Sequence, residues 1–329
     1  MLKWKHLSGV LVLGLCSLGV AGAQDKTCWL RDGTSPAPSL VYLLCEQGAF
    51  LVTSDGGATW ASHDIKVNGG HLRNIDFLDA SHGFAVGDEG LLMSTADAGK
   101  TWESRKTDLK ENLTTIQFIG QQGWASGYDG VIIHTADGGK TWAKQETGTK
   151  ESLECLFFID ENHGWAAGWA GTILRTTDGG KKWQSVKSDA AMWSLSSVYF
   201  RDEKNGWIVG FAGSILRTKD GGVTWQALAS PAKTWFTAIT FDKQNRGWIA
   251  ADDCILVSED QGESWKKINV DDLLFVSQFV PVNGSLWAVG QLGVMQLTDG
   301  LKWKRMANLV VDDPSKDSGA PTTAATKQN

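Results

Sequence analysis

Apolar residues fall in short clusters that recur along the chain. Six segments place an apolar residue five positions before a phenylalanine: Leu72 and Phe77, Leu113 and Phe118, Leu153 and Phe158, Leu195 and Phe200, Phe236 and Phe241, Leu274 and Phe279. Apolar and polar positions alternate within them, the period of a strand with one buried face. A second short run follows each, opened by Gly83-Phe84, Gly123-Trp124, Gly164-Trp165, Gly206-Trp207, Gly247-Trp248 and Leu286-Trp287. Glycines frame a brief gap after most of these, at Gly87/Gly90, Gly127/Gly130, Gly168/Gly171, Gly210/Gly213 and Gly290/Gly293, which predicts a tight hairpin turn. A third apolar run, such as Ile173-Leu174 within residues 172–176, leads into a polar box, and a tryptophan at the end of the box opens a fourth strand.

The box reads Ser/Thr-x-Asp-x-Gly-x-x-Trp. Its aspartates are Asp55, Asp97, Asp137, Asp178, Asp220, Asp260 and, in a degenerate last copy, Asp299. One such motif would carry little weight, but seven in phase establish a repeat array. Four antiparallel strands in a unit of about 40 residues make one propeller blade. The fold expected is therefore an all-β, seven-bladed β-propeller with the box as the turn between third and fourth strands. In the first blade, residues 40–45 and 50–53 supply the second and third strands, and Cys28-Trp29 is expected in the innermost strand. Seven complete blades close the ring without a strand exchanged between the ends. Residues 24–310 form the propeller on this reading, and the small, polar stretch 311–329 is a disordered tail.

Residues 1–23 are set apart from the repeats. Lys3, Lys5 and His6 precede an apolar run from Leu7 to Val20, and Ala21-Gly22-Ala23 offers small residues for cleavage before Gln24. This is a signal peptide in pattern, with too short an apolar run for a comfortable membrane span. Cys16 follows Leu15 where a lipoprotein signal would want a small residue. Export to the periplasm follows, or to the thylakoid lumen if the organism is photosynthetic, with no membrane span after cleavage. Removing Lys3 and Lys5 takes the formal charge from −6 to −8, which argues against a nucleic-acid partner. Of the remaining cysteines, Cys28 and Cys45 fall on neighbouring strands of blade one and are expected to pair, because the compartment is oxidising. Cys155 and Cys254 lie two blades apart and are expected to stay free.

The box resembles the Asp-box, or BNR, repeat of sialidases and related propellers. Its residues suit a turn: aspartate accepts backbone N–H bonds, glycine takes positive φ and tryptophan packs beneath. Seven copies point to structure, since a catalytic residue needs one. Sialidase chemistry would require an arginine cluster and an activated tyrosine, yet only Tyr42, Tyr128 and Tyr199 are present, and no arginine triad is evident. His71, His82 and His163 lie in separate blades, without zinc-ligand spacing. No catalytic residue, metal or cofactor is expected. The mature chain over residues 40–303 resembles the photosystem II stability/assembly factor family, on repeats such as Asn162-His163-Gly164-Trp165-Ala166-Ala167-Gly168-Trp169 followed by residues 170–180. The resemblance implies a non-catalytic factor that binds a membrane-protein client through an arginine-rich surface. Arg175 and Arg217, in the repeated Leu-Arg-Thr element, are the candidates for such contacts.

Tryptophan narrows the search for a binding face. The chain holds 17; seven lie in boxes and five in second strands. Trp4 falls in the signal peptide and Trp29 in the irregular first blade, which leaves Trp169, Trp193 and Trp235. Strand direction places the turn after each second strand on the same face as the entry to the first strand. Trp169 lies in such a turn, as do Tyr128, Phe211 and Leu292, while Trp193 and Trp235 precede first strands. All six map to the face opposite the boxes and are read as a surface for a protein partner, bound by a monomer. A glycan-binding or glycan-cleaving propeller is the rival reading, because aromatic platforms also stack on sugars.

Overall fold

The computed structural model describes residues 29–45, 48–67, 69–188, 193–270, 275–291, 293–298 and 300–306. Among these described residues, twenty-eight strands form seven four-stranded antiparallel sheets. Blade one uses Leu30–Ala37, Leu40–Cys45, Ala49–Thr53 and Ala61–Asp64. Blade four, the most regular, uses Leu153–Phe158, Gly164–Gly168, Ile173–Thr176 and Gln184–Ser185. Every blade takes its four strands in sequence order, so no strand is exchanged at the closure. Trp29 stands just before the first strand rather than in it, and Cys28 lies outside the described residues. So do the signal-peptide and tail segments.

The core lies between blades rather than within them. In blade three, Trp124 on the second strand stacks on Phe158 of blade four at 3.8 Å between ring centroids, and Trp183 of that blade's box meets Phe158 edge-on at 5.8 Å. The same trio recurs one blade on as Trp165, Phe200 and Trp225, then as Trp207, Phe241 and Trp265. In blades one and two, Tyr42 and Phe84 replace the second-strand tryptophan. Edge-to-face and stacked pairs exploit the ring quadrupole beyond simple burial. Of the second-strand indole nitrogens, Trp124, Trp165 and Trp207 donate to the carbonyls of Gly179, Gly221 and Gly262 in the next box and Trp248 donates to Asp242, whereas Trp287 Nε1 finds no partner among the described residues. Five second-strand tryptophans are thus fully buried wedges, whereas the box tryptophans divide: Trp183, Trp225 and Trp265 are buried, and Trp60, Trp102, Trp142 and Trp303 are half-buried.

The boxes form as their residues dictate. The Thr53 hydroxyl donates to Asp55 Oδ1 at 2.7 Å and accepts the Gly57 N–H, while Asp55 accepts from both the N–H and the hydroxyl of Thr59. The same bonds surround Asp97, Asp137, Asp220 and Asp260, and Asp178 keeps those its neighbours allow. Asp299 lies outside the described residues. Each box is thereby a self-satisfied turn. A further backbone bond ties box to blade: Gly179 N–H donates to Asn162 O on the turn between first and second strands.

Candidate binding face

On the opposite end, the second and third strands of blades two to five are joined by a type I′ turn. In blade four its central residues, Ala170 and Gly171, have φ of 51° and 68°, the left-handed pair that such a hairpin demands. The glycine before the turn, Gly168, has no room for a Cβ, which would collide with Ser152 O. That carbonyl accepts the Trp169 N–H at 2.9 Å. Sequence thus forces the turn down onto the loop entering the first strand and leaves the Trp169 side chain to project outward.

The equivalent bonds run from Tyr128 N to Asn112 O, from Phe211 N to Ser194 O, from Asp252 N to Trp235 O and from Gln291 N to Phe275 O. Turns and entry loops therefore share a face, opposite the boxes. Gln291, not Leu292, occupies the place of Trp169 in blade seven; Leu292 lies outside the described residues. Adjacent blades are also joined here, since Gly171 N–H donates to Trp193 O and Gly213 N–H to Thr234 O.

Four of the candidate aromatics are well exposed: Trp169 at 54 %, Trp193 at 53 %, Phe211 at 49 % and Trp235 at 44 %. Trp29 joins them at 39 %, a residue the sequence assigned to a strand. Trp193 lies 6.0 Å from Phe211, and half-buried Phe275 links Trp235 and Trp29 at 6.3 and 6.1 Å. Tyr128 is only half-exposed, with the Arg73 guanidinium over its ring at 5.5 Å.

A central cavity of about 390 Å³ is lined by the first strands of all seven blades. Just below its mouth, one position per blade forms a ring: Arg31, Arg73, Thr114, Glu154, Ser196, Thr237 and Ser277. The hydroxyls of Thr114, Thr237 and Ser277 donate to backbone carbonyls of the next blade, and Ser277 to Leu30 O closes the circle. Ser196 does the same to Phe236 O. Arg73 instead pairs with Asp88 at 2.6 Å. Two of the exposed indoles reach down to this ring, Trp169 Nε1 to Glu154 Oε1 at 2.6 Å and Trp235 Nε1 to Ser196 Oγ at 3.3 Å.

Deeper in the channel lie two carboxyls the sequence did not single out. Asp32 accepts bonds from Asn74 Nδ2 at 2.6 Å and Ile75 N at 2.9 Å, and the Gln278 side chain also bonds to it, so it joins blades seven, one and two. Asp76 accepts from Phe118 N in blade three and from Thr34 in blade one. Burial pushes the Asp32 carboxyl up to about 7 and the Asp76 carboxyl to about 6, against the pull of those N–H donors. Polar residues at alternate inner-strand positions, Asp32 and Thr34 or Asn74 and Asp76, were the available signal. Both carboxyls line the central cavity and join neighbouring blades through these bonds.

Arg175 and Arg217 lie elsewhere. Arg175 Nε donates to Gly221 O at 2.7 Å. Arg217 is buried, pairs with Glu263 at 2.5 Å and covers the Trp207 ring at 5.0 Å. Both are clamps between blades near the box end, and neither joins the aromatic face. Arg201 and Arg246 likewise cover Trp207 and Trp248. Asp160, His163 and Glu203 approach one another on the box side. Asp160 there caps the backbone of Asn162 and His163 and bonds His163 Nδ1 at 2.8 Å. The same turn recurs at Asp79 and His82, which accounts for Asp160 and His163 structurally. Cys45 is buried and disulfide-bonded, while Cys155 and Cys254 are free and buried.

The family described as the photosynthesis system II assembly factor YCF48 matches residues 64–151 and 189–283, together more than half of the chain. The chain belongs to that family. A curated member, the photosystem II assembly lipoprotein Ycf48 of Synechocystis sp., is 35% identical over 79 residues. That alignment covers 22% of the chain and 22% of the relative's length. Among solved structures, YCF48 bound to D1 peptide superposes with a TM-score of 0.70 at 20% identity, covering 83% of this chain and 94% of that one. YCF48 from Cyanidioschyzon merolae gives 0.61 at 22% identity, covering 75% and 88%. An ancestral GH74 enzyme reaches 0.67 at 11% identity, over 84% of this chain and 46% of its own. At these identities the superpositions attest the propeller fold.

Proposed function

We propose that the protein is a non-catalytic assembly factor that holds a segment of a membrane-protein client on the aromatic face of its propeller. Membership of the YCF48 family supports the role, and a family structure carries a D1 peptide. One observation carries the placement: the large exposed aromatics Trp29, Trp169, Trp193, Phe211 and Trp235 belong to the face opposite the boxes, with two indoles fixed by bonds to the channel-mouth ring. Exposed aromatics held in one orientation lose little conformational entropy on binding. Site-directed crosslinking tests this. A photoreactive phenylalanine analogue at Phe211 should give a discrete adduct containing a membrane-protein segment, and one at Val223, equally exposed in a box turn, should not. Adducts of equal yield from both positions would refute the assignment. Export to the periplasm or a lumen is part of this reading, as is a monomeric state.

A further inference from the structure

The blade-four and blade-five sector of this face differs from the rest. There the Trp169 turn is bonded to the Trp193 loop through Gly171 N–H to Trp193 O, and the Trp193 ring lies 6.0 Å from Phe211. Glu154 lies on the first strand of blade four, lines the central cavity and meets the Trp169 indole. Among the described residues its carboxylate takes one hydrogen bond, from the Trp169 indole, and enters no ion pair. Arg73 feels the charge of Glu154 but is committed to Asp88. The Trp169 N–H is spent on Glu154, so this ring offers a partner only its π face and edges.

We propose that this sector receives a basic side chain of the client, a lysine or arginine flanked by apolar residues. The aliphatic stem would lie against Trp169, Trp193 and Phe211, and the cationic head would meet the Glu154 carboxylate. The proposal rests on the docking reading above and adds the chemistry of the contact. A cation over an indole face is attracted by the ring quadrupole, most strongly for tryptophan, and a half-buried carboxylate beside it adds a charge-assisted hydrogen bond. An anionic ligand is the opposing case, since Lys150 and Lys187 stand on flanking loops. Glu154 decides against it, because an anion placed there would leave two like charges in a partly desolvated site.

Indole N–H resonances of the ¹⁵N-labelled mature chain provide the test, with three probes: acetyl-Leu-Lys-Leu-amide and its norleucine and glutamate counterparts. The lysine peptide should shift the Trp169 indole signal and bind about tenfold more tightly than the norleucine peptide, a difference of ~1.4 kcal/mol. Glu154→Gln keeps an acceptor for the indole and should bring that ratio to about one, with the fold verified by an unchanged thermal transition. Equal affinities for lysine and norleucine, or a preference that survives Glu154→Gln, would overturn the cation subsite and leave the docking face standing. A preference for glutamate would overturn its sign. No shift with any peptide would remove the docking face and the subsite together.

Discussion

The Trp169 indole donates a 2.6 Å hydrogen bond to the Glu154 carboxylate, so a ring more than half exposed is held in one orientation above the channel mouth. Little of the fold depends on that ring. Trp169→Ala should change stability by no more than about 1 kcal/mol, as surface substitutions do. Thermal or urea unfolding checks this, and a larger loss would show that the ring is part of the core.

Trp165 presents the opposite case. It is fully buried, stacked on Phe200 at 3.4 Å between centroids, and bonded to Gly221 O. Trp165→Ala should cost about 3–5 kcal/mol, the range for large core truncations. Trp183→Ala should fall in the same range, because that indole is buried and meets Phe158 edge-on. Urea midpoints at constant m-value would measure both.

Channel carboxyls and box carboxylates respond to pH with opposite signs. Asp32 has a raised folded value of about 7, so the folded state binds its proton more tightly than the unfolded chain. Its contribution is complete below the unfolded value near 4 and is lost as pH rises through 7. Asp76 acts likewise up to about 6. The box groups Asp55 and Asp97 are held down at about 2 by the threonine hydroxyl and N–H bonds they accept, so their contribution is lost only in acid. Between pH 5 and 8, therefore, Tm should fall as pH rises, and Asp32→Asn should flatten that slope. A slope of the same size in the variant would contradict the assignment.

Blade one should be fastened by a Cys28–Cys45 disulfide. Cys45 is bonded, and the loop to be closed is short, which is worth about 3 kcal/mol in the chain-entropy account. Alkylation without reductant should label Cys155 and Cys254 after unfolding and spare Cys28 and Cys45. Labelling of Cys28 in that experiment would exclude the pairing.

The repeat was legible because box, Gly-aromatic strand and inner-strand phenylalanine each recur in phase, and strand direction alone placed Trp169, Trp193, Phe211 and Trp235 on one face. What the sequence could not show was contact across blade seams. Trp124 and Phe158 lie 34 positions apart, and nothing in local pattern says that one stacks on the other. For the same reason Arg175 and Arg217 read as free basic side chains, although each is consumed by the next blade's box. Asp32 was hidden by the irregularity of blade one, where no box-to-strand template fixed the inner strand.

The central claim is that the aromatic face, and not the box face, holds the client. The direct measurement is quantitative crosslinking and recovery of that client by the wild type, by Trp169→Ala/Trp235→Ala, and by Asp178→Ala. Interface aromatics often contribute about 2 kcal/mol or more each, so the double variant should recover at least about tenfold less client with its thermal transition nearly unchanged. Asp178→Ala should lower Tm by opening its turn, yet bind normally once corrected for the folded fraction. Equal recovery by the wild type and the double variant would contradict the account.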